Sequence, residues 1–152
     1  MTQLQEVSFK TLLIPRLLET AFTLSLHGRL SLSPNRLLYL NIDNHYITTL
    51  YPLIKKYIPQ IIKPNYFGRH SAGAHISVIY PEERVNIRDK DVGSLHHFKI
   101  TGSYTALVGT KTYFVLGVEA PTLTQLRHQY GLSHKLTFKN CLIGLHITVG
   151  TS

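Results

Sequence analysis

Gly73-Ala74-His75-Ile76-Ser77-Val78 and Gly144-Leu145-His146-Ile147-Thr148-Val149 are two copies of one pattern. Four positions are identical, and a fifth exchanges one hydroxyl for another. The first copy opens a β-branched run, His75 to Tyr80, that Pro81 stops; the second lies in an apolar run from Leu142 to Val149. Both read as strands. Side chains alternate faces along a strand, so His75 shares a face with Ser77 and Ile76 shares the other with Val78. The second copy behaves the same way. Each strand then buries an apolar face and presents one imidazole and one hydroxyl on the opposite face, with a glycine two residues upstream lowering the wall.

Working outward, the flanking segments repeat an order of elements. Leu37 to Ile42 reads as a buried strand, and Asp43-Asn44 caps a helix over residues 47–58 that Pro59 and Pro64 end. In the second half, residues 98–108 and 111–118 form a hairpin across Gly109-Thr110, and Pro121 starts a helix that Gly131 closes. A charged stretch, Glu82 to Gly93, reads as an exposed loop between the halves. Ahead of all this, residues 1–36 hold one helix, 15–26, stopped at Gly28. The order strand, helix, strand, then hairpin, helix, strand, points to one mixed α/β or α+β domain with helices covering a sheet, in two lobes.

The chain has 152 residues, 43% hydrophobic and 16% charged, which suits one globular domain rather than a disordered segment. No apolar run approaches the roughly 18 residues of a membrane-spanning helix, so no membrane partner is expected. The N-terminus lacks the pattern of a secretory signal. A lone cysteine, Cys141, cannot close an internal disulfide and reads as an inert buried thiol, so a cytoplasmic location is expected. The formal charge of +8 favours an anionic partner such as nucleic acid, nucleotide or acidic lipid. No obligate protein partner is evident.

Two motif strands side by side would gather two imidazoles and two hydroxyls around one cleft. That set suits phosphodiester chemistry: one neutral imidazole accepts a proton from the attacking oxygen, and one protonated imidazole supplies a proton to the leaving oxygen. Ser77 and Thr148 would donate to the nonbridging phosphate oxygens, where charge develops. Such a mechanism needs no metal or other cofactor. The bland alternative is a pair of buried histidines satisfied by backbone groups.

At these residues the chain resembles the two-histidine (2H) phosphoesterase superfamily, marked by a pair of H-x-[ST]-apolar motifs, one in each lobe of a pseudo-symmetric fold. The resemblance covers roughly residues 37–150. It implies an α+β, bilobal fold whose antiparallel-rich sheets form a central cleft with helices outside, the first lobe at 37–85, the second at 95–150, and 1–36 as an extension. It also implies a phosphodiesterase with His75 and His146 as its acid/base pair, acting on RNA 2',3'-cyclic phosphate, a 2'-linked bond or a cyclic (oligo)nucleotide. The runs Leu40-Asn41-Ile42-Asp43 and Gly73 to Val78 look like a bacterial branch labelled Swiss Army Knife RNA repair-like. Only three residues follow Val149, whereas many relatives carry further strands there; residues 1–36 would supply the missing cover. The alternative function is an RNA or cyclic-nucleotide binding module of the same fold that turns nothing over.

Further candidates lie around the motifs. Lys63, Tyr66, Arg69 and His70 precede the first one, where arginine can pair with phosphate and tyrosine can stack on a base. Tyr104 and Tyr113 share a face of the hairpin, as core or as a stacking platform. His45, His70, His96, His97 and His128 have no cysteine cluster or acidic loop beside them and read as surface histidines, not metal ligands.

Overall fold

The computed structural model describes residues 4–69 and 71–152. The N-terminal segment contributes strands β1 (Gln5–Glu6), β2 (Phe9–Thr11) and β3 (His27–Leu32), with helix α1 (Leu17–Ala21) between the last two. Then come β4 (Leu38–Asn41), helices α2 (His45–Thr48) and α3 (Leu50–Tyr57), and β5 (His75–Ile79). The remainder runs β6 (Leu95–His97), β7 (Lys99–Val108), β8 (Lys111–Glu119), α4 (Pro121–Gln129), β9 (Leu136–Phe138), β10 (Cys141–Ile143) and β11 (His146–Thr151).

Strands from both halves join in one eight-stranded antiparallel sheet, ordered β2-β7-β8-β11-β5-β4-β3-β6. β1, β10 and β9 make a separate small sheet. On one face of the large sheet, Leu40, Ile76, Val78, Leu116, Ile147 and Val149 pack in one core with Leu17, Ala21, Tyr46, Ile47, Leu50, Ile54, Leu123 and Leu126 of the four helices. A smaller core on the opposite face joins Ala106, Val108, Tyr113 and Val115 to Val7, Phe138 and Cys141 of the small sheet and its flank. Strands segregated from helices in this way make an α+β fold. Among the described residues no helix is long and apolar enough to cross a membrane.

Several elements depart from the reading of the sequence. The helix expected over residues 15–26 spans only Leu17–Ala21, after which the chain turns back into β3. Gly28, read as a helix stop, is a strand residue: a Cβ there would stand 2.1 Å from the Asn41 carbonyl oxygen, so the close approach of β3 to β4 requires glycine. The apolar run 142–149 breaks at Gly144-Leu145, with β10 entering the small sheet and β11 the large one. The Gly109-Thr110 hairpin forms as expected, with Gly109 at a φ of 63°.

The stretch read as an exposed charged loop hides an ion pair. Arg127 of α4 is fully buried, and its guanidinium donates to both Glu83 oxygens (2.7 and 2.8 Å) and to the carbonyls of Val78, Ser133 and Lys135, each at 2.8 Å. All N–H donors of the guanidinium are thereby used. Glu83 also accepts from the backbone N–H groups of Tyr80 (2.9 Å) and Thr137 (3.0 Å), so one pair joins α4, the end of β5 and the start of the small sheet. Next to it, Glu82 accepts from the N–H of Lys139 at 2.9 Å and holds the β9–β10 turn. Glu83→Gln leaves the guanidinium buried without a counter-charge and is expected to cost about 3–5 kcal/mol. Glu82→Gln, at the surface, should cost about 1 kcal/mol or less. Urea unfolding of the two variants at pH 7 checks this; equal, small losses would show that the buried pair does not hold the layers together.

Candidate active site

The site follows from one pairing. β5 and β11 are adjacent and antiparallel, with Ile76 opposite Ile147. Continued one residue either way, that register sets His75 opposite Thr148 and Ser77 opposite His146, so each imidazole stands beside the hydroxyl of the other motif. The two histidines occupy diagonal positions, whose backbones stand about 7–8 Å apart in such a pair. The isoleucines between them point the other way and are fully buried.

Both motifs share a further feature. β5 pairs with β4 as Tyr39↔Ser77 and then Leu38↔Ile79, which leaves Val78 as an extra residue. β11 pairs with β8 as Thr148↔Val115 and then Gly150↔Phe114, which leaves Val149 extra. Each hydroxyl is thus followed by a β-bulge that reverses the alternation of faces. After the first bulge Ile79 is buried in the core and Tyr80 turns to the site face, where strict alternation would have put it in the core.

The imidazoles are oriented alike. His75 Nδ1 lies 2.7 Å from the Gly73 carbonyl oxygen, and His146 Nδ1 lies 2.8 Å from that of Gly144. A carbonyl only accepts, so Nδ1 carries the proton in both rings and Nε2 is left with its lone pair. Gly73 holds its carbonyl in place through a left-handed φ of 68°, with its own N–H donating to Tyr66 O at 2.7 Å. The Asn44 side chain accepts the next N–H, from Ala74, at 3.0 Å and occupies the space a Gly73 Cβ would need. The upstream glycine of the first motif therefore serves to aim a carbonyl. Gly144 has no such constraint, since nothing lies within 4 Å of its Cβ position.

A pocket of about 300 Å³ opens over these side chains, and His75, Ser77, His146 and Thr148 all line it. Tyr66 and Tyr113 line it as well. Arg69 is exposed and is not part of the lining, and His70 lies outside the described residues. Tyr80, Phe138, Ser33 and Asn35 complete much of the wall, and none of them was singled out from the sequence. Tyr80 was hidden by the bulge, and the others arrive from a turn (Ser33, Asn35) and from the end of β9 (Phe138), all distant in sequence. Tyr66 packs edge-on to His75 at 4.8 Å between ring centroids, Tyr39 does so at 5.5 Å, and Phe9 meets His146 at 6.2 Å. Tyr104 instead stacks on Phe9 beside the pocket. Among the described residues no three His, Cys, Asp or Glu side chains are grouped to hold a metal ion.

Burial governs the protonation of the site. It drives the His146 pKa down to about 4, against the opposing bond to Gly144 and with a further push from His75. His75 is lowered too, mainly by burial, with the Gly73 bond again opposing. Burial raises Tyr66 and Tyr80, while the hydroxyls of Thr148 and Ser77 respectively act to lower them. At neutral pH both histidines of the protein alone are neutral. The unfolded chain binds a proton at an ordinary histidine below about pH 6.5, whereas folded His146 waits until about 4, so stability falls as pH drops through that window. Full titration of this one group amounts to about 3 kcal/mol. Comparing urea midpoints of wild type and His146→Gln at pH 7.5 and 4.5 isolates it, since other groups contribute to both proteins. The variant should lose distinctly less stability on acidification; parallel losses would mean that His146 is not held neutral.

A search of curated proteins and a search of solved structures each found no match to this chain. A protein-family model does match, over residues 38–152, which takes in both motif strands and β9 and β10 of the small sheet but leaves out β1 to β3. Its description is the Swiss Army Knife, 2H phosphoesterase domain. With most of the chain matched, the protein belongs to the 2H phosphoesterase family in its Swiss Army Knife branch, whose general chemistry is phosphodiester hydrolysis.

Proposed function

We propose that the protein is a metal-independent phosphodiesterase that uses His75 and His146 as an acid/base pair. Its substrate is an RNA 2',3'-cyclic phosphate, a 2'-linked bond or a cyclic (oligo)nucleotide. The observation that carries this reading is the matched orientation of the imidazoles: both Nδ1 atoms are engaged by backbone carbonyls, neither Nε2 atom has a hydrogen-bond partner among the described residues, and both rings line one pocket. The free Nε2 of one ring takes a proton from the attacking water as its oxygen bonds to phosphorus. The Nε2–H of the other supplies a proton to the oxygen that leaves as the P–O bond breaks, so the pair ends with its single proton exchanged. Ser77 and Thr148, each opposite the other motif's imidazole, donate to the nonbridging oxygens. The matching bulges and Nδ1 bonds support a pseudo-twofold axis between β5 and β11 relating residues 37–85 to 95–150. Tyr66 and Tyr113 would flank the nucleoside, and Arg69, outside the pocket, would meet a more distant phosphate of a longer substrate. A nucleotide substrate of this kind fits a cytoplasmic setting.

The test is a panel of 2',3'-cyclic nucleotides, 2',5'-oligoadenylate, cyclic di- and trinucleotides and nicked RNA, incubated in EDTA and separated by chromatography. Turnover of at least one member is expected, unchanged by the chelator, with His75→Ala and His146→Ala each slowing it at least about a hundredfold. Binding without turnover anywhere in the panel would favour the non-catalytic binding module.

The pH dependence carries a sign. Catalysis needs the pair to hold one proton, a state most populated between the two pKa values of the coupled site. Both histidines of the free protein lie below their ordinary value. The kcat/KM profile, which reports the free enzyme, should therefore be bell-shaped with its optimum below about pH 6.5 and should decline through neutrality. An optimum above pH 7 on a phosphodiester, whose own charge is constant there, would contradict this account of the pair.

A further inference from the structure

The pocket is built to take an anion, yet among the described residues that line it there is no lysine or arginine. A phosphodiester buried there carries a full negative charge that neutral donors alone compensate poorly. A cation does stand one hydrogen bond behind the lining. Lys139 Nζ donates to the Tyr113 hydroxyl at 2.9 Å and sits 5.2 Å from the centre of the Phe138 ring and 5.7 Å from that of Tyr113. An ammonium group has donors only, so the Tyr113 oxygen is the acceptor, and its own proton is free to point elsewhere. Tyr113 is 7% exposed and faces the pocket, and its hydroxyl lies near enough to Tyr66 and Tyr80 to influence both.

The backbone adds an independent observation. Lys139 and Asn140 form the two-residue β9–β10 turn with φ of 49° and 61°, a conformation that glycine or asparagine adopts more easily than lysine. A lysine kept at a strained turn position suggests a use for its side chain. Glu82 pins that turn through the Lys139 N–H, so the ammonium is delivered from a fixed point.

We propose that Lys139 is a positioning residue that polarises Tyr113, making its hydroxyl a charge-assisted donor to a phosphate oxygen of the bound nucleotide. This rests on reading the pocket as a phosphodiester site, and it adds a fixed positive charge behind the lining to that of whichever imidazole is protonated. The probe is adenosine 2'-monophosphate, the product type of a cyclic-phosphate opening, titrated calorimetrically at pH 7 into wild type, Tyr113→Phe, Lys139→Gly, Lys139→Arg and the double variant Tyr113→Phe/Lys139→Gly. Glycine suits the turn, so Lys139→Gly should unfold in urea at the same or a higher concentration than wild type, which separates a buttressing role from an electrostatic one. Tyr113→Phe and Lys139→Gly should each weaken binding about five- to tenfold, the double variant should be no weaker than the poorer single, and Lys139→Arg should retain most of the affinity. Wild-type affinity in Lys139→Gly, or single losses that multiply in the double variant, would overturn the proposal; so would a wild type that does not bind the probe. If the variants lose affinity as expected while the panel above shows no turnover, the catalytic reading fails and this one stands.

Discussion

The antiparallel pairing of β5 with β11 is the constraint from which the site derives. Setting Ile76 against Ile147 does two things at once: it buries both isoleucines against the helices, and it brings His75, Ser77, His146 and Thr148 to the opposite face in a crossed arrangement. A slip of one residue in either strand would send that strand's imidazole into the apolar core and its isoleucine into the pocket. Burial of the apolar face therefore selects the register, and the register sets the chemistry. The same physical requirement that folds the sheet assembles the pair.

The rest of the pocket depends on how the small sheet is fastened to that centre. Glu83 and Glu82 lie one after the other just past β5 and face different tasks. One neutralises Arg127 and takes the Thr137 N–H, and the other takes the Lys139 N–H. Between them they fix β9 and its turn, and with these Phe138, which lines the pocket, and Lys139, which backs Tyr113. Two acidic residues that look like solvated surface in the sequence thus hold a wall of the site. Residues ahead of the family match add to the pocket lining through Ser33 and Asn35, and Phe9 meets the His146 ring edge-on.

Electrostatically the site of the protein alone is poised against protonation. Two imidazoles close together and removed from water resist a positive charge, and an arriving phosphate would oppose that resistance by supplying a negative charge beside them. In the mechanism proposed above, the anion to be attacked would thereby help protonate the imidazole cast as acid. A polar, hydroxyl-rich lining accommodates the change with short donors in place of long flexible cations.

What the sequence alone determined is the local part: the repeated G-x-H-I-x-V pattern, the sharing of a face by each histidine and hydroxyl, the 109–110 hairpin, the helix from Pro121, and the resemblance to a family that the match over residues 38–152 bears out. These are legible because strand alternation, turn residues and helix punctuation act over a few neighbouring residues. Only the tertiary structure decided the rest. β3 was masked because Gly28 serves a contact with Asn41, which is adjacent in space and not in sequence. Tyr80 reached the pocket through a bulge that alternation cannot foresee, and Glu83 left the surface because Arg127, far along the chain, meets it inside. The charge of +8, so suggestive in the sequence, does not line the pocket among the described residues; what counts there is the fixed placement of neutral donors and of one ammonium group behind them. Composition sums charges without positions, and a site is made of positions.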